Sequence, residues 1–447
     1  MPGTVTHVAA PGTGEGARVE AGEPLEHGVG AGAAHGRAPF ARYWFADAVS
    51  NLGTFVSALA LQLLLIETLH ADQVALGVVR SAQWLPYLLF GLLAGVVVDR
   101  VRRRPLLIGA DVLCAVALGT VGFLALTGHL TVPVLAVLVF VVGSASMFFS
   151  AAHLSLLPSI VEPAWLPTAN ARLSQTYSAS QSLGPLVGGA LVRLLSAPVA
   201  VLVDAASYAV SAVVLATLRV EERGPQPPSE ERGRHVWTEL REGAAWVYRH
   251  PMLGPYAVSL HLWFFANGIV TTVLVYFATT ELHLDALAIG LVLAATGVTG
   301  VVGAGLAPRL AARFGTGRVV VAAEWANPLA YALLLLARPG PWALPWLLVA
   351  NAFFGLAMGV KDPLTMSHRN LVTPDRLRGR MNATIRSFNW GTIAVAAPLG
   401  GWLAASFGNR VAIGVGVIGL AVSALWLWCS PYRHVTVEGE RPAGVRA

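Results

Sequence analysis

The feature that most restricts this chain is a succession of long apolar runs separated by short polar loops. A helix needs about 20 apolar residues to cross the hydrocarbon core of a bilayer. Runs of that order fall near 43–66, 74–98, 106–127, 132–152, 171–195 and 198–219. A polar stretch at about 220–252 follows, and then runs near 253–279, 286–307, 318–337, 342–361, 381–406 and 409–430. Composition agrees: 55% of the residues are hydrophobic and 12% charged, whereas a soluble protein carries about a quarter charged residues. A soluble fold has no interior large enough for so much apolar surface, so the excess faces lipid. The sequence predicts an all-α membrane protein with twelve transmembrane helices, arranged as six, a linker and six.

Charge placement orients these spans. The formal net charge is +6, and the positive charges sit between apolar runs rather than in a nucleic-acid-binding patch. The loop after span 2 carries Arg100, Arg102, Arg103 and Arg104; the loop after span 8 carries Arg309, Arg313 and Arg318. The loop after span 10 carries Arg369, Arg376, Arg378, Arg380 and Arg386. Odd-numbered loops hold at most one basic residue each, such as Arg193, Arg338 and Arg410. By the positive-inside rule the even loops and both termini are cytoplasmic, which suits a multi-pass protein of the plasma membrane.

Five segments follow. Residues 1–39 are rich in Gly, Ala, Pro, Glu and His and lack the hydrophobic core of a signal peptide, so a disordered cytoplasmic tail is expected. Residues 40–219 and 253–430 form two six-helix halves. Residues 220–252 form a cytoplasmic linker, and 431–447 a second tail. In the linker Trp237, Leu240, Ala244 and Val247 recur at helical spacing, which reads as a short amphipathic surface helix. Cys114 and Cys429 lie in apolar runs near opposite ends of the chain. No disulfide and no metal site is expected from them, nor from the scattered His7, His27 and His35.

The halves echo each other. Pro163–Leu166 with Gly188-Gly189-Ala-Leu191 recurs as Pro374–Leu377 with Gly400-Gly401-Trp-Leu403. Repeated halves are how many transporters build a central site that opens to alternate sides. Between spans 2 and 3 stands Gly95-Val-Val-Val-Asp99-Arg100-Val-Arg-Arg103-Arg104-Pro-Leu-Leu107. A carboxylate at a helix end can pair with guanidinium groups and with a neighbouring helix N-terminus, so Gly95, Asp99, Arg100, Arg103 and Arg104 read as a conformational latch; a plain topology signal is the competing reading. This loop resembles the signature of the major facilitator superfamily, with Arg102 in place of its second glycine. That departure resembles the drug:proton antiporter branch with macrolide-efflux and enterobactin-export proteins. Gly184-Pro185-Leu-Val-Gly188-Gly189 in span 5 resembles the antiporter motif of drug exporters, with Ser180 at its upstream glycine. Further landmarks are Phe40–Gly53, Leu166–Asn170, Asp204–Tyr208 and Arg376-Leu-Arg-Gly379-Arg380.

The resemblance implies that spans 1, 4, 7 and 10 line a central cavity. Ionised groups within the bilayer cost roughly 2.5–3.5 kcal/mol on insertion scales, so buried acids are candidates for proton coupling. These are Asp47, Asp111, Asp204 and Glu324. Asp47 leads because span 1 lines the cavity, with an interfacial pair to Arg42 as the alternative. Asp111 and Asp204 sit on scaffold spans, and Glu324 reads as a helix-end acid. Arg80 is a candidate partner for an acid, and Lys361, the only lysine, for its neighbour Asp362. Asn51, Phe148, His261, Phe265, Asn267, Asn351, Phe354 and Met358 are candidate cavity residues, because aromatic, Met and amide groups suit amphipathic ligands.

No P-loop, zinc motif, nucleophile elbow or dinucleotide fingerprint is present, so no enzyme and no cofactor is expected; a proton gradient is the expected energy source. The expected partners are the lipid bilayer, protons and a small amphipathic molecule, without nucleic acid. The leading expectation is a proton-coupled exporter of drug-like molecules or secondary metabolites, siderophores among them, working by alternating access. Uptake or facilitated diffusion on the same fold is the alternative, and a non-transporting receptor or scaffold the third.

Overall fold

The computed structural model describes residues 37–218 and 241–436, apart from the side chains of residues 92–96, 99 and 154. Residues 1–36 and 437–447 of the expected tails, the linker positions Trp237 and Leu240, the surroundings of Gly95 and the Asp99 side chain lie outside this description. Twelve long helices follow one another. The first six are α1 (Arg37–Leu63), α2 (Gln73–Arg100), α3 (Arg103–Leu126), α4 (Val132–Leu156), α5 (Leu166–Leu194) and α6 (Ala197–Thr217). A short helix over 241–249 precedes α7 (Leu253–Thr280), α8 (Ala286–Phe314), α9 (Thr316–Leu335), α10 (Ala343–Val372), α11 (Asp375–Phe407) and α12 (Asn409–Cys429). There is no strand among the described residues.

The helix ends have local causes. Asp72 and Asp285 each accept the backbone N–H three residues on, at 2.8 Å. This satisfies a donor that the first turn of α2 and of α8 leaves open. Gly315 and Gly408 stop α8 and α11 at φ of 87° and 93°, a left-handed conformation that a Cβ would penalise.

The packing repeats between halves. In the first half α1 packs on α5 and α6, α2 on α4, and α3 on α4 and α6. In the second, α7 packs on α11 and α12, α8 on α10, and α9 on α10 and α12. Adding six to each helix number converts the first set into the second. The halves meet where α2 packs on α11 and α5 on α8, a pair of contacts that the same operation exchanges.

Among the described residues nine helices are apolar and long enough to cross a membrane by length and composition; α2, α5 and α9 fall outside that measure. Each of the three lies against other helices of the bundle, and a helix sheltered in this way can turn a polar side to protein or water. α5 shows why. Ser174, Gln175, Ser178 and Gln181 on its first half are exposed. Polar side chains exposed within a membrane bundle face a water-filled space rather than lipid.

That space opens toward the arginine-rich loops, because the opposite ends are clasped. There Gly189 of α5 lies against the Ala286 carbonyl and Gly290 of α8. Gly77 and Gly401 bring α2 and α11 together in the same way. A side chain at any of these glycines would hold the backbones apart. Arg193 and Asp285 close the α5–α8 seam with a 3.1 Å ion pair.

Candidate functional site

In the first half the polar interior centres on Asp47, which is 4% exposed. Its Oδ1 lies 2.8 Å from Nε2 of His153 on α4, a close contact outside aligned hydrogen-bond geometry. The Tyr43 and Phe149 rings stack against the imidazole, both with centroids 5.8 Å away, and the Tyr43 hydroxyl donates to the His153 carbonyl. The imidazole therefore stands where the alternative reading puts Arg42, and Arg42 is exposed. His153 is the only ionisable residue in α4, and that solitary polarity is the signal that marks it.

Two more acids lie deeper. Asp204 accepts a 2.9 Å hydrogen bond from Ser207 and packs on Gly53 of α1, where a Cβ would collide with its carboxylate. Asp111 is buried beside Ser211. Neither of its oxygens attains hydrogen-bonding geometry among the described residues. Thr54 adds a 2.8 Å hydroxyl contact to Tyr208 between α1 and α6.

The second half is built differently. Glu324 is not at a helix end: it sits well inside α9 and is buried, and its Oε2 accepts from Lys361 Nζ at 2.9 Å. Lys361 also lies 4.5 Å from the ring centroid of Trp263 on α7. Ser423 of α12 donates to the other Glu324 oxygen at 2.9 Å and meets Ser259 of α7. The expected Lys361–Asp362 pair does not form, because successive helix positions point apart and Asp362 is exposed.

Among the described residues Arg80 pairs with no acid. It reaches across the seam and donates to Thr271 of α7 at 3.0 Å. Nearby, the Tyr331 hydroxyl donates to Asn267 at 2.8 Å. Phe354 stacks between Tyr331 and Trp263, with ring centroids at 4.6 and 6.2 Å. His261 is engaged at both nitrogens, to Asn389 at 2.6 Å and the Tyr248 hydroxyl at 2.9 Å. Asn51 and Asn351 turn back to carbonyls of their own helices, and Phe148, Phe265 and Met358 are half-buried. The candidate cavity residues thus divide into a connected group (Asn267, Phe354, with Tyr331, Thr271 and Arg80), a tied-off histidine and separate wall positions.

In the loop between α2 and α3, Arg100 is exposed. Arg104 donates to the Leu215 and Ala216 carbonyls at the end of α6, a contact inside the first half. The span 5 motif splits its work: Gly184 and Gly188 seat α5 on Phe55 and Val56 of α1, whereas Gly189 seats it on α8 across the seam. The linker helix is docked, not merely laid on the membrane. Glu242 bridges Arg376 and Arg380, and Gly243 packs on Arg380. Hydrogen bonding from Arg376, with its charge, holds the Glu242 carboxyl below its ordinary value. Among the described residues no group of three His, Cys, Asp or Glu side chains is gathered to hold a metal ion.

The family described as transmembrane secretion effector, of the major facilitator type, matches residues 32–442. The chain is a major facilitator transporter. It is similar to the multidrug efflux pump Tap of Mycolicibacterium fortuitum, with 26% identity over 88% of this chain and 94% of the relative. It also resembles macrolide efflux protein A of Streptococcus pyogenes, at 24% identity over 46% of this chain and 50% of the relative. Among solved structures, the nucleoside transporter NupG superposes with TM-score 0.68 at 14% identity, covering 88% of this chain and 98% of its own. A bacterial homologue of the lysosomal transporter Spinster, in an inward-facing and unoccupied conformation, gives 0.69 at 14% identity over 91% and 100%. In this transporter, then, the clasped seam and the opening beneath it belong to a membrane-embedded, non-enzymatic transport fold. Its efflux-pump relatives support a role in drug efflux.

Proposed function

We propose that this transporter exports amphipathic drug-like or secondary-metabolite molecules, siderophores among them, in exchange for protons, with Asp47 and His153 as the coupling site. The observation that carries this reading is the 2.8 Å Asp47–His153 contact, which joins two helices that line the cavity in this superfamily. The names of the relatives, multidrug and macrolide efflux, favour export over uptake. The arginine-rich loops favour a plasma-membrane protein with both termini and the open cavity on the cytoplasmic side.

The chemistry follows from burial. With His153 protonated, the Asp47 carboxylate has a compensating charge. Loss of that proton leaves a buried carboxylate uncompensated, which is costly, and biases the bundle toward a state in which Asp47 is hydrated or protonated. A ligand shifts a conformational equilibrium only by its differential affinity for the two states. A proton bound at this pair and a substrate bound among Arg80, Asn267, Thr271, Tyr331 and Phe354 therefore act as alternate occupants of one cycle. The loop carrying Asp99 acts in this scheme as the latch of one state.

Flux in proteoliposomes with an imposed proton gradient tests the reading. Export predicts substrate movement opposite to protons. Movement with the protons, or flux indifferent to the gradient, overturns it. Asp99→Asn is expected to slow flux while leaving substrate affinity unchanged.

A further inference from the structure

Two grooves flank α9 and meet at one arginine. The first, of about 400 Å³, is lined by Arg318, Val321, Trp325, Trp428, Arg433 and His434. The second, of about 460 Å³, is lined by Leu310, Phe314, Val319, Ala326, Phe353 and Val360. Arg318 and Ala322 border both. Phe314, Phe353 and Trp428 are exposed large hydrophobics, so on a membrane-spanning bundle this face meets lipid. From Arg318 to Ala326 the second groove climbs α9 by roughly 12 Å at 1.5 Å per residue. That approaches the half-thickness of a hydrocarbon core, about 15 Å.

The chemistry at the junction is asymmetric. Arg318 and Arg433 are exposed, and among the described residues no carboxylate pairs with either. Arg433 Nε lies 2.8 Å from His434 Nε2, which adds a third nitrogen-bearing side chain. The Trp325 indole N–H is buried and has no hydrogen-bond partner among the described residues. Two guanidinium groups with no acid beside them among the described residues call for an anionic head; the apolar second groove on one side of α9, and the Val321, Trp325 and Trp428 wall of the first on the other, call for two chains.

The geometry points to a site for one anionic diacyl glycerophospholipid, its phosphate on Arg318 and Arg433 and its acyl chains straddling α9. Basic pockets between transmembrane helices recognise anionic headgroups by this charge matching. The occupied site abuts the Glu324–Lys361 ion pair of the second half, since Val360 precedes Lys361 and Ala323, which also borders the second groove, precedes Glu324.

The experiment is native mass spectrometry of the full delipidated chain, titrated with phosphatidylglycerol or phosphatidylcholine. One phosphatidylglycerol is expected to be retained in preference to phosphatidylcholine. Arg318→Gln with Arg433→Gln is expected to weaken its retention by about fivefold per arginine, roughly 25-fold together, and to leave phosphatidylcholine unchanged. Ala322→Trp fills the junction without touching the charge and is expected to release phosphatidylglycerol as well. Equal retention of the two lipids by the wild type, or undiminished phosphatidylglycerol in the double arginine variant, overturns the proposal. Retention by Ala322→Trp overturns the two-groove seat, and displacement of the lipid by millimolar inorganic phosphate overturns the lipid assignment. None of these readouts depends on export.

Discussion

The two halves share a packing plan and treat buried charge in opposite ways. In the second half Glu324 has its oxygens taken by Lys361 and Ser423, and the lysine is covered by Trp263. Charge there is cancelled in place. In the first half Asp111 lacks an aligned donor among the described residues, and the partner of Asp47 is the imidazole of His153. Repeating a fold therefore does not repeat its electrostatics. One half carries a carboxylate–ammonium pair that ties four helices together, and the other a carboxylate–imidazole contact between two.

The largest effect expected from this contrast is at Asp47. Asp47→Asn is expected to reduce gradient-driven flux in proteoliposomes to that of empty vesicles, with the thermal midpoint little changed. Wild-type flux in that variant removes Asp47 from the coupling role. Next is Lys361→Met, which strands a buried carboxylate and is expected to destabilise by about 3–5 kcal/mol, read as thermal unfolding in detergent. Adding Glu324→Leu is expected to restore most of that stability and to leave flux near wild type. A double variant that folds and does not transport would give the second half a functional charge and end the contrast.

Gly189→Val sharpens the comparison at the seam. The new side chain meets the Ala286 carbonyl and is expected to cost about 1–3 kcal/mol by overpacking, with reduced flux because the clasped state is lost. The same measurement on Gly188→Val, which presses on α1 within one half, is expected to lower stability without that selective loss of the clasp. The smallest effect is at the linker. The Glu242 carboxyl is held below its ordinary value, so its bridge to Arg376 and Arg380 contributes fully above the ordinary glutamate range and is lost as pH falls through the depressed value. Hydrogen exchange over 241–249 is expected to show protection at neutral pH that fades in acid, and Glu242→Gln to show the faded level throughout. Protection that is unchanged in the variant would leave packing of Gly243 and Val247 as the docking force.

Much of the architecture was legible because bilayer physics imposes it. A run of about 20 apolar residues has few alternatives to a spanning helix, and the arginine-rich loops, the paired Gly-Gly landmarks and the 95–107 loop are local patterns. Partner choice was not legible. Asp47 lies four residues from a histidine's ring neighbour Tyr43 but more than a hundred from His153 itself, and Arg42, the alternative partner nearby in sequence, is five residues away and so on another helix face. Lys361 beside Asp362 reads as a pair in sequence, yet the helix turns their side chains apart. Arg80 reads as a counter-ion for an acid, and its nearest donor-acceptor contact is Thr271 on the other half.

By itself the sequence determined the membrane, the twelve spans, their division into related halves and the family resemblance, because each depends on periodicity, composition or a short contiguous motif. Only the tertiary structure decided which charges are cancelled and which are not. Hydrogen bonds and ion pairs reach about 3 Å, and whether two side chains on different helices come that close depends on how the helices pack.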